Sequence, residues 1–227
     1  PLGFGHGRHG SGTSWLPDET PTHHLMGTIG SWTLMGHGAL FGGYVKMNGP
    51  RGDEIAYAPN MIMVMVERDA GSRTFLRFSG MFSADAATVG GAGYPLLLQT
   101  GETWNGAPLK DHQHPHNVFS ELSVDAVHAR GERVAFSVYV APVGEPALGP
   151  PAYVHRPVGL NNPLAPIGHH WQDATHISFG VVTAGLQTRA WQVEVSTLNG
   201  REPGENRAEI LPPEFDSPAI RLLDELT

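Results

Sequence analysis

The chain has 227 residues, a formal net charge of -8, no cysteine, and only 16% charged against 40% hydrophobic residues. With no basic stripe, nucleic acid is excluded as a partner. The absence of Cys excludes disulfides, thiolate metal sites and cysteine nucleophiles, and no apolar run reaches the roughly 18 residues a transmembrane helix needs. Gly 29 and Pro 19 are high, which suits many turns and long loops rather than helices.

Residues 1–30 are rich in Gly, His, Thr and Pro and lack any period; they read as an irregular arm. Alternation begins at Ser31 and runs to Met47, with Trp32, Leu34, Leu40 and Tyr44 opposite Thr33, Met35, His37 and Phe41. Asn60 to Arg68 places Ile62, Val64 and Val66 opposite Met61, Met63, Met65 and Glu67. After a short turn, Thr74 to Ser83 sets Leu76, Phe78 and Phe82 against Arg77, Ser79, Met81 and Ser83, a hairpin pattern. Val118 to Ala129 and Arg133 to Val140 form a second hairpin about Arg130-Gly131-Glu132. Thr175 to Leu186 and Ala190 to Leu198 form a third. Asp216 to Thr227 reads as irregular or helical because of Pro218 and the Leu223-Asp224-Glu225-Leu226 run.

About seven alternating strands result. Alternation alone fits any half-buried antiparallel sheet. The connections carry more information, because tight turns alternate with the long stretches Ala84 to Asn117 and Pro142 to Ala174. A membrane barrel does this, with turns on one rim and loops on the other. The expected fold is therefore all-β: an antiparallel meander β-barrel of about eight strands, of outer-membrane type, over 31–227. A soluble β-sandwich or barrel remains the alternative, and closure by a second copy, a homo-oligomer, is a further way to complete the wall.

Histidine is the main chemical anomaly, with 13 residues. His112, His114 and His116 lie within five residues, and in an extended segment they project to one side. His169 and His170 sit in the other long loop, so both loops deliver imidazoles toward one rim. Imidazole is the commonest protein ligand for zinc and copper. These five are the candidate metal ligands, with Asp111 and Glu121 as nearby carboxylates. Met35, Met61, Met63, Met65 and Met81 share one face of neighbouring strands, beside His37. Thioethers with imidazole suit soft Cu(I), although such a stripe also simply packs. Glu67, Arg77, Glu121, Asp125, Arg133, His176 and Glu194 fall on the polar face, where they must pair or stay hydrated. Gly5 to Gly10 matches a dinucleotide-binding glycine pattern, but no strand precedes it and no helix follows. No hydrolase elbow, zinc-protease helix motif or phosphate loop occurs.

The stretches Ser11 to Asp18, Gly93 to Thr103, Asp111 to His116, Gly144 to Pro151 and His169-His170-Trp171 resemble a largely uncharacterised family of bacterial proteins. Its members are predicted outer-membrane β-barrels, often found beside copper or other heavy-metal resistance functions. The resemblance spans most of Gly10 to Glu202. It implies a barrel, an outer-membrane location and metal handling, and further strands beyond this chain's end; it carries over no catalytic residue. Together these readings lead to an outer-membrane β-barrel that binds or passes transition-metal ions, copper or zinc, with lipid around it. The alternative is a periplasmic or secreted metalloenzyme on a soluble β scaffold, with a His-ligated metal and Glu121 or Asp111 as general base.

Overall fold

The computed structural model describes residues 24–148, 161–166, 169–172 and 177–224, with the backbone alone at 171–172. Residues 1–23, and with them most of the amino-terminal arm, lie outside the described residues, as do His155, His176 and Gly149 to Pro151.

Thirteen strands are described. In chain order they are β1 (Leu25–Ile29), β2 (Trp32–Leu40), β3 (Gly43–Lys46), β4 (Glu54–Tyr57), β5 (Asn60–Asp69), β6 (Thr74–Phe82), β7 (Tyr94–Trp104), β8 (Ala107–Gln113), β9 (Phe119–Arg130), β10 (Val134–Gly144), β11 (Ser178–Gln187), β12 (Trp191–Leu198) and β13 (Ser217–Asp224). Two one-turn helices, α1 (Asp85–Thr88) and α2 (His169–Gln172), lie in connections. Nine strands form one antiparallel meander, β1-β2-β5-β6-β9-β10-β11-β12-β13, and the hairpins β3-β4 and β7-β8 stand apart from it.

The fold is therefore all-β and antiparallel. β1 and β13 are edges among the described residues, and no ladder joins them into a closed barrel. Every tight turn (30–31, 70–73, 131–133, 188–190) lies at one end of the sheet. Every long connection (41–59, 83–118, 145–177, 199–216) lies at the other.

Three expectations need correction. Leu25–Ile29, read as part of an irregular arm, pairs with β2 from Leu25↔Gly36 to Ile29↔Trp32. Gly30, at φ +60°, makes the two-residue turn that joins them. The segment from Ser217 is a strand, not a helix: it pairs with β12 from Trp191↔Asp224 to Leu198↔Ser217. Pro218 is tolerated there because β13 is an edge strand. Its alternation is real, with Ala219 buried while Ile220 and Leu222 are exposed. The first long strand also ends sooner than the pattern suggests. β2 stops at Leu40, and Gly43–Lys46 belongs to the separate hairpin.

The large sheet exposes a run of apolar side chains on one face and buries polar and charged ones among apolar ones on the other. One face presents Ile62, Val64, Phe78, Val124, Phe136, Val138, Val140, Val195, Ile220 and Leu222, exposed from 41% at Val64 to 71% at Ile220. The opposite face is buried and holds Glu67, Arg77, Ser123, Thr183 and Ser196 beside small apolar residues and methionines. Two ion pairs lie on it, and burial pushes the Asp125 carboxyl there up to about 6. Arg77 Nε donates to Glu67 Oε2 at 3.2 Å, and Arg221 Nε to Glu194 Oε2 at 2.6 Å. Glu121 accepts from Ser123 Oγ at 2.6 Å and from Tyr139 Oη at 3.1 Å, while Thr183 and Ser196 hydroxyls lie 2.7 Å apart. Arg133, expected on this face, is exposed at the turn end.

The loop end has its own small core, built from Tyr57, Val89, Tyr94, Leu96 and Ala165. Tyr57 and Tyr94 rings lie 5.1 Å apart, and Tyr94 Oη accepts from Ala165 N at 2.9 Å. The long connections are thereby held as a packed cap, which positions the histidines.

Candidate metal centre at the loop end

Four of the five candidate histidines meet at this cap. Ring centroids lie 4.8 Å apart for His114 and His170, 4.9 Å for His169 and His170, and 6.5 Å for both His114–His116 and His116–His169. His169 and His170 arrive on α2, and His114 and His116 follow the end of β8. Gly101 makes room for the cluster: a Cβ there would stand 2.8 Å from His170 Nδ1.

His112 is not part of it. Along β8, Leu109, Asp111 and Gln113 face inward while Lys110 and His112 face outward. The strand then ends at Gln113, so His114 turns inward out of register. His112 Nε2 instead stands 3.3 Å from Asp53 Oδ2, and its Nδ1 lies 3.1 Å from Lys110 O. The expectation that His112, His114 and His116 share one side assumes an extended chain through Pro115; it holds only for His114 and His116. Asp111 sits nearby at φ +57°, held by a two-pronged pair with Arg51 (2.7 and 2.5 Å) and by Leu98 N at 2.8 Å. It is occupied structurally. Glu121 is occupied too, on the inner face of the sheet.

The carboxylates that do serve the cluster are Asp85 and Glu102, neither of which sequence spacing singles out. Asp85, on α1, is 1% exposed. Its Oδ2 accepts from His116 Nδ1 at 2.8 Å, and its Oδ1 from Asn60 N at 2.8 Å. Burial pushes the Asp85 carboxyl up, but the His116 contact and the hydrogen bonds from Asn60 and Ser83 outweigh it and leave it below the usual carboxylate range.

Glu102, on β7, has His114 Nε2 at 3.1 Å from its Oε1 and the Arg207 guanidinium on its Oε2. Burial raises its carboxyl above the ordinary value, although Arg207 pulls the other way. Arg207 also donates to Asn117 Oδ1 at 3.3 Å, which ties the β12–β13 connection into the cap.

The chain matches no family model, no curated protein and no solved structure.

His114 is the informative one. Burial, then the Arg207 guanidinium and the neighbouring His170, push its imidazole well below the ordinary histidine value, so it is neutral near pH 7. Its Nδ1 lies 2.9 Å from Pro115 O and donates to that carbonyl. The proton of a neutral ring is then used, and Nε2 carries a lone pair facing a carboxylate oxygen at 3.1 Å. A proton on the raised Glu102 carboxyl, or a cation, would satisfy both atoms. A separation near 3 Å is that of two ligands at right angles, each about 2.1 Å from one ion, as in a tetragonal copper site. His170 and Glu202 line the same narrow pocket as Glu102 and His114. Among the described residues no three His or carboxylate groups converge as a ready metal site. His114 and Glu102 are in direct contact, and the His170 ring lies 4.8 Å from that of His114.

Proposed function

We propose that this chain forms the wall of an outer-membrane β-barrel that binds or passes transition-metal ions, copper foremost, through the histidine cap at its loop end. The observation that carries the barrel part is the exposed apolar face of the large sheet. Leaving so many Val, Ile, Leu and Phe side chains about half in water forgoes a large part of the roughly 1.5–3 kcal/mol that full burial gives each, and a contiguous apolar face of this kind marks a lipid or protein contact. In lipid the same face is at home, and the charged, hydroxylic face becomes the lumen. That inner face is buried although each strand packs chiefly on its ladder neighbours, as expected of a sheet curled about its own side chains.

Strand lengths support the reading. β2, β5, β6, β9, β10 and β11 run 9 to 12 residues, against the roughly 9–11 a tilted strand needs to cross a bilayer. Aromatic residues mark both rims of the outer face. Trp32, with Arg68 stacked 5.0 Å from its ring centroid, and Trp191 lie near the turns; Phe82 and Phe119, 6.0 Å apart, lie near the loops. Girdles of this kind sit at membrane interfaces.

The metal part rests on the neutral His114 facing Glu102, with His170 beside them and Asp85 bracing His116. Buttressing of an imidazole by a carboxylate is the usual outer shell of a metal site. For an imidazole and carboxylate set, Cu(II) binds ahead of Zn(II).

The test is to prepare the untagged chain, measure its partition between detergent-free buffer and lipid vesicles, and titrate it with Cu(II) and Zn(II) beside a His114→Ala/His170→Ala variant. Flotation with vesicles and metal binding lost in the variant are the expected results. A monodisperse protein in detergent-free buffer overturns the barrel and favours the metalloenzyme alternative. Equal metal binding by both proteins, or none by either, overturns the site.

A further inference from the structure

We propose that the buried methionine cluster of β2, β5 and β6, with His37, is a second metal site, one that takes a soft monovalent ion, Cu(I) or Ag(I). The inference deepens the metal-handling reading and depends on it for purpose, but its donors are separate from the loop cap.

Met35, Met61, Met63, Met65 and Met81 form one buried apolar cluster, all methionine among the described residues. The ladder sets them side by side. His37 pairs with Met63 and Met63 with Met81, while in the adjoining inward row Met35 pairs with Met65. Directly opposed residues have Cβ atoms about 4.5–5.5 Å apart, within easy reach for these long side chains. His24 stands against His37 at 5.2 Å between ring centroids, adding a second imidazole.

Packing alone does not account for the residue type. On β5 the outward positions are Ile62, Val64 and Val66 and the inward ones Met61, Met63 and Met65. The strand thus uses branched residues, which favour β structure, on one face and flexible thioethers on the other. Nor is the cluster the edge of a larger hydrophobic core. Further round the same inner face come Ser79, Ser123, Ser137, Thr183 and Ser196 and the Glu67–Arg77 pair. A pocket of thioethers with an imidazole at its rim, set in a polar surface, offers soft donors where hard ones dominate. Soft ligands select Cu(I) and its redox-inert analogue Ag(I) over Zn(II) and Cu(II).

The probe is Ag(I) as its nitrate in chloride-free buffer, added to the full chain carrying 13C-labelled methionine methyl groups. The methyl signals of Met35, Met61, Met63, Met65 and Met81 are expected to move together, while those of Met26 and Met47 stay. A Met63→Leu/Met65→Leu/Met81→Leu variant keeps the packing volume at modest cost, and its Ag(I) affinity is expected to fall by about tenfold or more, some 1.4 kcal/mol. A His114→Ala/His170→Ala variant is expected to bind Ag(I) at the cluster as wild type does. Unmoved methyl signals in the wild-type chain overturn the proposal whatever the variants do. So does an unchanged Ag(I) affinity in the triple-leucine variant. Because Cu(II) reports on the loop cap and Ag(I) with methionine methyls on the sheet, failure of one site is read separately from failure of the other.

Discussion

Asp85 Oδ2 lies 2.8 Å from His116 Nδ1, which joins the one-turn helix after β6 to the segment that follows β8. The same carboxylate accepts from Asn60 N. One buried group therefore orients an imidazole of the cap and anchors the start of β5.

Asp85→Asn separates these roles. The amide can still accept from Asn60 N, but it no longer holds a negative charge against His116. If the cap binds metal, Cu(II) affinity should drop about 10–100-fold, the usual cost of losing a carboxylate buttress. Isothermal titration beside a melting curve checks this. A large fall in melting temperature with unchanged affinity would make Asp85 purely structural.

Val138 lies midway along β10 on the apolar face and is 49% exposed. Val138→Lys distinguishes the environments. At a bilayer midplane it costs about 2–4 kcal/mol; on a water-facing surface it stays within about 0.5 kcal/mol. Urea unfolding of both proteins from lipid vesicles reads the difference, and a value near zero speaks against lipid contact.

Arg77 and Glu67 are both almost fully buried and pair at 3.2 Å across β5 and β6. Arg77→Leu strands the Glu67 charge and should destabilise the fold by about 3–5 kcal/mol. Adding Glu67→Gln should recover much of that loss, because the penalty is the unpaired charge. A double-mutant cycle by equilibrium unfolding checks the recovery.

His114 governs an acid limb of stability in the metal-free protein. Its folded pKa is held well below 6.5 by burial. Between those two values the unfolded chain binds a proton that the folded chain refuses, so stability falls as pH drops below about 6.5. His114→Gln removes that titration, and its stability should change less between pH 7 and pH 5. Unfolding midpoints at several pH values decide it. Parallel curves for the two proteins would mean His114 is not the group responsible.

Much of the sheet was legible because alternation is a local property. The faces of β5, β6, β9, β10, β11 and β12 follow directly from residue order, and so does the gathering of five methionines on one face. Leu25–Ile29 escaped because five residues with a glycine carry too little pattern. The segment from Ser217 escaped because Pro218 and a leucine-acid run look helical until β12 is there to pair with it.

The candidate site was half legible. Histidine clustering points to the two loops whose imidazoles come together, but not to which of them meet. His112 drops out because β8 keeps strand alternation up to Gln113 and loses it there. Asp85 and Glu102 could not be found by spacing, since the hydrogen bonds that recruit them close long loops of chain.

By itself the sequence determined which residues share a face of β5, β6, β9, β10, β11 and β12, where the turns of their three hairpins fall, and that imidazole, thioether and carboxylate are the chemistry on offer. Those follow from the two-residue period of a strand and the conformational demands of glycine and proline. Only the tertiary structure decided which face is buried, since alternation reads the same in either direction until the strands assemble. It also decided which histidines stand together and which carboxylates brace them, because contacts between distant segments exist only once the ladder has set the loops side by side.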